Sequence, residues 1–277
     1  MSEQGGGTPS WRDLEQAGWQ LRAVAYDRFF GPMSLRIADT VLDAVGAGPG
    51  TRLLDACCGP GYLAGRAAGR GCAVTGIDIA AAMVDLAVAR CPQASFRVGD
   101  VEELPFGDGD FDAVVCNIGI HHVTDPGRCL AGFWRVLAGG GRLAMTVWDE
   151  TRSLVSMPKD AVLAVVPFSQ PGLPDPPPRP DYASPVAVGA LLEQAGLSLE
   201  SMAPVTFEQR FASARDMWDD WLPTAIRTGP LLAAQPPAVR EAARQAFDDM
   251  VAQHIGPDGS VVLPASMNLI VAVAVAG

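Results

Sequence analysis

The run Leu53-Leu54-Asp55-Ala56-Cys57-Cys58-Gly59-Pro60-Gly61-Tyr62-Leu63-Ala64-Gly65 constrains this chain more than any other stretch. It reads as a buried strand, a glycine turn and the first turn of a helix. Arg52 to Ala56 is short and apolar until Asp55, which suits a parallel strand covered on both faces. Gly59 and Gly61 admit backbone angles and a close ligand approach that a side chain would block. Leu63 to Arg70 continues as a helix ending near Gly69 or Gly71. Such a turn sets free backbone N–H groups and the positive helix end beside a ligand's polar head. Alone it is ambiguous. Gly59-x-Gly61-x-x-Ala64 also fits the dinucleotide pattern, with Asp78 near the spacing of a ribose-binding acid.

Strands and helices alternate after this turn. Strands are expected at Ala73–Ile77, Ser95–Val98, Asp112–Cys116 and Arg142–Trp148. Helices are expected at Ala80–Arg90 and from Asp125-Pro126, the latter ending at Gly139-Gly140-Gly141. Repeated βα units imply a parallel sheet with right-handed crossovers, an α/β fold. Before the sheet, one helix is read from Ser10 to about Phe30, with Trp11, Leu14, Leu21, Val24 and Ala25 at helical spacing, and a second from Ser34 to Val45. After it, eight prolines between Pro167 and Pro185 mark a long loop between helices near Lys159–Val166 and Val186–Ala195. Leu197–Phe211 reads as extended, Ala214–Arg227 and Ala238–His254 as helices, and Val261–Ala276 holds the last strand. The expected organisation is N-terminal helices over residues 1–50, a cofactor-binding core over 51–150, and remaining strands with helical insertions at about 155–195 and 213–258. The added helices form a lid over the C-terminal edge of the strands.

Composition narrows the partners. A net charge of -11 disfavours nucleic acid and anionic membrane surfaces, and no apolar run reaches the length of a membrane helix. The polar, glycine-rich segment 1–9 lacks the pattern of a secretory signal. None of the six cysteines forms a C-x-x-C pair, so buried free thiols in a reducing cytoplasm are expected. No cluster has metal spacing, so no metal is expected. A homodimer is left open.

Further features bear on which cofactor the turn serves. Asp55 stands four residues before Gly59, where a dinucleotide fold usually keeps the strand apolar. Gly76-Ile77-Asp78-Ile79 ends the second strand with an acid that can accept from two ribose hydroxyls. After the third strand, Asp100 can accept from an exocyclic adenine amine while the Val101 backbone N–H donates to a ring nitrogen. The fourth strand, Phe111 to Asn117, brings its terminal carbonyls to the same edge, where an ammonium group can sit.

From Leu53 to Trp148 the chain closely resembles class I S-adenosylmethionine-dependent methyltransferases of the small-molecule branch that includes the ubiquinone and menaquinone methyltransferases. The matching motifs are Leu54-Asp55-Ala56-Cys57-Cys58-Gly59-Pro60-Gly61, Gly76-Ile77-Asp78, Gly99-Asp100-Val101, Phe111-Asp112 and Arg135-Val136-Leu137-Ala138-Gly139-Gly140-Gly141. The resemblance implies a Rossmann-like seven-stranded sheet in the order 3-2-1-4-5-7-6 with strand 7 antiparallel. It implies that Gly59 and Gly61 approach the methionine part of the cofactor, that Asp78 binds its ribose, that Ile79 and Met83 cover the adenine, and that Asp100 and Val101 read the adenine edge. Tyr26 resembles the tyrosine that closes over the cofactor. The chain departs from the family at Cys57, where glycine is usual.

Trp148, Trp218 and Trp221 can line an aromatic substrate pocket. Each role has a plainer alternative: an N-cap for Asp78, a solvated loop acid for Asp100, core packing for Met83, Tyr26, Trp218 and Trp221. His121 and His122 follow the fourth strand, beside the expected methyl group, and either can act as a base. The expected activity is methyl transfer to an O, N or C nucleophile of a small organic molecule, a natural-product intermediate. Two alternatives stay open: a non-methylating reaction such as cyclisation or elimination, and cofactor binding without turnover. A nicotinamide oxidoreductase is disfavoured by Asp55 and Asp100.

Overall fold

The computed structural model describes residues 9–167 and 173–275. The chain runs α1 Trp11–Ala44, β1 Arg52–Ala56, α2 Tyr62–Gly69, β2 Ala73–Asp78, α3 Ala81–Arg90, β3 Ser95–Val98, β4 Phe111–Asn117, α4 Pro126–Val136 and β5 Leu137–Trp148. It continues with α5 Met157–Leu163, α6 Pro185–Gln194, β6 Leu197–Phe211, α7 Ala214–Trp221, α8 Thr228–Ala233, α9 Pro237–Val251 and β7 Val261–Ala274. The strands form one seven-stranded sheet in the order β3-β2-β1-β4-β5-β7-β6. Pairs from β3 to β5 are parallel, and β7 runs antiparallel to both β5 and β6. The order reverses between β1 and β4, so the chains that leave these neighbouring strands diverge and open a crevice at their C-terminal ends.

Alternate residues along each strand feed two cores. Leu54, Val114, Leu143 and Ile270 pack beneath α4 and α6, while Leu53, Val115, Ala144 and Val271 pack against α2 and the C-terminal half of α1. A third core joins the lid helices: Met157, Trp218, Trp221 and Phe247 meet Phe29, Met33 and the start of β7.

The N-terminal segment departs from expectation. One helix of 34 residues replaces the two expected, and Pro32 lies inside it. A proline there removes a helical hydrogen bond and crowds the preceding turn. Phe29 and Met33 are buried in the lid core and Ile37 in the sheet core, so packing on both sides of Pro32 holds the helix continuous. The buried face also differs. Leu21 and Val24 are 80% and 75% exposed, whereas Trp11, Glu15, Gly18 and Ala23 face inward. Smaller differences have local causes. β5 begins at Leu137, because Leu137 pairs with Phe111 across a bulge and carries the glycine run into the strand. The helix expected over 214–227 ends at Trp221, followed by a single turn containing Pro223, before α8 starts at Thr228. Helix α5 starts at Met157 with Pro158 in its first turn, ahead of the expected start at Lys159. Segment 1–8, residues 168–172 of the proline loop and Ala276 lie outside the described residues.

Asp55 belongs to this fold-level account. It is 2% exposed and accepts a hydrogen bond from the Ala64 N–H at 3.0 Å. Helix α2 starts at Gly61, which has no side chain to cap it, so the Asp55 carboxyl serves the first turn from the adjacent strand. Burial pushes its pKa up from 3.8 to about 7, with nearby Asp78 adding to the rise. Between those two pH values the folded chain keeps a proton that the unfolded chain has lost, so this group's contribution to stability falls as pH rises. Asp55→Asn keeps an acceptor for Ala64 and loses the titration. The melting temperature of the wild type minus that of the variant is expected to grow more negative from about pH 4 to about pH 7; parallel profiles would contradict the assignment.

Candidate active site

The turn after β1 and the loop after β4 meet in the crevice, and both are unusual in backbone. Cys57 and Ile118 each have φ 57°, a left-handed conformation costly for a side-chain-bearing residue and most of all for a β-branched one. Cys57 therefore holds the left-handed angle at the position where glycine is usual in the resembling family. Ile118 is held from behind: its N–H donates to the Thr146 carbonyl at 3.1 Å and to Thr146 Oγ1 at 3.0 Å. Thr146 Oγ1 donates to Asn117 Oδ1 at 2.6 Å, and Asn117 Nδ2 donates to Ser34 Oγ at 3.2 Å. Ser34 is in turn hydrogen-bonded to the Tyr26 hydroxyl. A buried polar chain thus ties the end of the sheet to α1 and fixes Tyr26 over the glycine turn. Burial, then Asp78, raises the Tyr26 pKa and keeps the phenol protonated.

A narrow cleft of about 80 Å³ lies under Tyr26. Its lining includes Gly59, Asp78, Ile79, Met83, Asp100, Val101 and Asn117. Asp78 accepts from the Gly59 N–H at 2.9 Å and from the Ala80 N–H at 3.0 Å, one bond to each oxygen. A carboxylate has about four acceptor sites, so Asp78 retains capacity for two hydroxyl groups. Burial raises its pKa despite these N–H donors. Gly59 has φ 50°, and a Cβ there would point at the Tyr26 ring from 3.8 Å, inside the space between turn and tyrosine. Asp100 Oδ1 accepts from the Glu102 N–H at 2.9 Å, and its Oδ2 is paired with Arg12 Nε at 2.5 Å. A side-chain-free turn, a buried carboxylate with spare acceptor sites and an apolar wall of Ile79 and Met83 fit a nucleoside-bearing cofactor.

Two expected cofactor residues lie off the cleft. Asp55 is turned to α2, as described. Gly61 packs on α3, where a Cβ would meet the Ala87 Cβ at 2.9 Å and Cα at 3.0 Å, so its lack of a side chain serves helix packing.

A larger chamber of about 580 Å³ adjoins the cleft and shares Glu15, Trp19, Tyr26, Ile118 and His122 with it. Trp148 and Trp221 line the chamber, while Trp218 packs against Phe247 in the lid core, ring centroids 5.2 Å apart and tilted by 42°. The two histidines differ. His122 Nδ1 lies 3.0 Å from Glu15 Oε2, its carbonyl accepts from Trp11 Nε1 at 3.2 Å, and Trp19 meets its ring edge-on at 4.9 Å. His121 has a buried Nδ1 with no hydrogen-bond partner among the described residues. Burial, then His122, Arg179 and Lys159, holds its pKa well below the usual value. Arg12, Glu15 and Trp19 were not anticipated from the sequence. The signal for them is the four-residue step Trp11, Glu15, Trp19, which sets aromatic and acidic side chains on the inward face of α1.

Residues 54–145 match the family model described as "Methyltransferase domain". The ubiquinone biosynthesis O-methyltransferase of Xanthomonas oryzae pv. oryzae is 32% identical over 203 residues, 72% of this chain and 80% of that one. The chain belongs to the S-adenosylmethionine-dependent methyltransferase family. A demethylmenaquinone methyltransferase from Renibacterium salmoninarum is 39% identical over 105 residues, which span 38% of this chain and 44% of the relative, less than half its length. Among solved structures, the cyclase SpnF superposes with a TM-score of 0.60 at 19% identity, covering 98% of both chains. Phosphoethanolamine N-methyltransferase 2 of Haemonchus contortus gives 0.59 at 18% identity, covering 97% of this chain and 61% of that one. These two share the fold of this chain.

The contact of the two left-handed turns leads to a stability test. A Cβ on Gly119 would lie 2.5 Å from the Cys57 Cβ, 2.8 Å from its Sγ and 2.9 Å from the Cys116 Sγ. Gly119→Ala is expected to cost about 1–3 kcal/mol by overpacking, read from denaturant unfolding. Adding Cys57→Gly removes the nearest atoms and should recover most of that loss; no recovery would place the strain elsewhere.

Proposed function

We propose that this protein transfers the methyl group of S-adenosylmethionine to an O, N or C nucleophile of a small organic molecule, an intermediate of natural-product biosynthesis. The reading rests chiefly on one observation: the cleft that holds Gly59, Asp78 and Asp100 opens at Tyr26, Ile118 and His122 into a separate aromatic chamber. One cavity suits the donor and the other an acceptor. The free cysteines, most of them buried, support a reducing cytoplasm as the place of action.

S-adenosylmethionine, when bound, supplies an electrophilic methyl group on a sulfonium sulfur. In this reading Asp78 accepts from the ribose hydroxyls, Asp100 and the Val101 N–H face the adenine edge, and Ile79 and Met83 cover its faces. Asn117 and the end of β4 stand where the methionine portion runs. Tyr26, with Trp19 at 5.3 Å and Phe30 at 5.2 Å between ring centroids, closes the junction against water. Holding donor and acceptor aligned in two adjoining cavities supplies proximity. In this reading Glu15, 3.0 Å from His122 Nδ1, orients the ring so that Nε2 can take the acceptor's proton. His121, held neutral by burial and neighbouring cations, has no such orienting partner. His122 is the base in this reading.

Calorimetry with S-adenosylhomocysteine and with NAD tests the donor site. Binding of the former is expected, and Asp78→Ala should weaken it by about 1–3 kcal/mol, roughly 5- to 150-fold in Kd. Binding of NAD alone would refute the reading. With phenol and amine acceptors screened for methyl transfer, His122→Ala is expected to lower kcat by roughly 10²–10⁴-fold while the Kd for S-adenosylhomocysteine stays put. A variant that turns over at the wild-type rate across pH would remove His122 from the mechanism.

A further inference from the structure

The chamber beside the donor cleft is lined by cations in an acidic protein. The chain carries 20 Lys and Arg against 31 Asp and Glu, and Lys159 is its only lysine. Yet Lys159 from α5, Arg179 from the proline-rich segment and Arg227 from the loop before α8 all line this one chamber. Two carboxylates share the wall, and each is engaged. Glu15 is 3.0 Å from His122 Nδ1. Glu150, with its side chain 74% exposed, sits toward solvent 3.3 Å from the Lys159 Nζ. Lys159 also lies 4.0 Å from Asp160, and Arg227 donates to the Pro174 carbonyl.

The aromatic side chains of Phe30, Trp148 and Trp221 line the same chamber. Two buried polar atoms in the chamber lining, His121 Nδ1 and Ser153 Oγ, have no hydrogen-bond partner among the described residues. The low pKa of His121, caused by burial and by His122, Arg179 and Lys159, is the electrostatic trace of the same positive field.

We propose that the chamber binds an acceptor with an aromatic or apolar body and an acidic group, carboxylate, phosphate or sulfonate, held by Lys159 and Arg179. The acidic group then lies at the α5 and proline-loop wall, the rings of Phe30, Trp148 and Trp221 receive the apolar body, and the nucleophile faces His122. The word acceptor rests on the methyltransferase reading; the charge preference of the chamber does not.

A matched pair of fluorescent probes tests it on the full chain: anilinonaphthalene sulfonate and its uncharged skeleton, N-phenylnaphthylamine. The sulfonate is expected to bind about tenfold more tightly, as a charge-assisted contact in a partly buried site provides. Lys159→Met with Arg179→Met should bring the two affinities to within about twofold by weakening the sulfonate alone, since each lost cation removes such a contact. Unchanged binding of the neutral probe shows that the chamber of the double variant is intact. Arg215→Met, on a side chain 83% exposed on α7, should keep the preference. Equal binding of the two probes, failure of the sulfonate to bind, or a preference that survives in the double variant would overturn the proposal. S-adenosylhomocysteine calorimetry on the same sample judges the donor site separately, so loss of one reading is distinguishable from loss of the other.

Discussion

Everything at this site depends on the divergence of the chain after β1 and β4. The two strands are paired side by side, yet β1 leads toward β2 on one side and β4 toward β5 on the other. Neither of the chain segments leaving these strands crosses the gap between them, so the gap is free to take a ligand. Closing the turns tightly enough to frame it forces Cys57 and Ile118 into left-handed angles and leaves no room for a side chain at Gly119. Backbone strain of this kind persists only where surrounding structure enforces it. Here the enforcement is visible as the doubly satisfied Ile118 N–H and the Thr146–Asn117–Ser34 hydrogen bonds behind it.

Helix α1 converts that gap into an enclosed site. Its C-terminal half is anchored to α2 by Arg66 and Arg70, which pair with Asp39 at 2.6 Å each, and by burial of Ile37 and Val41 on the sheet core. Its N-terminal half spans the crevice and contributes to both cavities. Arg12 reaches Asp100 beside the narrow cleft, Glu15 and Trp11 hold His122, and Phe30 lines the chamber. The surface pair of Arg12 and Asp100 is worth little by itself, since exposed ion pairs contribute at most about 1 kcal/mol. Continuity through Pro32 matters more, because it transmits the anchoring of one half of the helix to the other.

The sheet was legible in the sequence because its signals are local. Short apolar strands, glycine turns and the acids ending β2 and following β3 sit within a few residues of one another, and the motif resemblance covered that stretch. Asp55 shows the limit of such reading. Its place before the turn is plain, but whether a carboxyl points to a ligand or to a helix N-terminus depends on which face of β1 it occupies. The buried face of α1 was misread for a related reason. Leu21 and Val24 have helical spacing, but the helix turns Trp11, Glu15 and Trp19 inward, because it covers a polar functional cavity there, not an apolar core. The Glu15–His122 contact spans 107 residues and leaves no local trace.

The chamber's cations were the least legible part, and the reason is physical. Lys159, Arg179 and Arg227 lie on three separate segments of the lid, and in sequence each looks like an ordinary solvated charge. Only the folding of α5, the proline segment and the stretch after α7 over the same strand ends gathers them. Gathering like charges costs energy that a folded protein recovers through compensating carboxylates or through a bound anion. Glu150 and Asp160 answer Lys159, Asp175 acts on Arg227, and Glu15 is committed to His122. The remaining positive field is felt at His121, whose imidazole it holds neutral together with burial. His122, oriented by a carboxylate, lines both cavities, while His121 lines only the chamber that holds the cations.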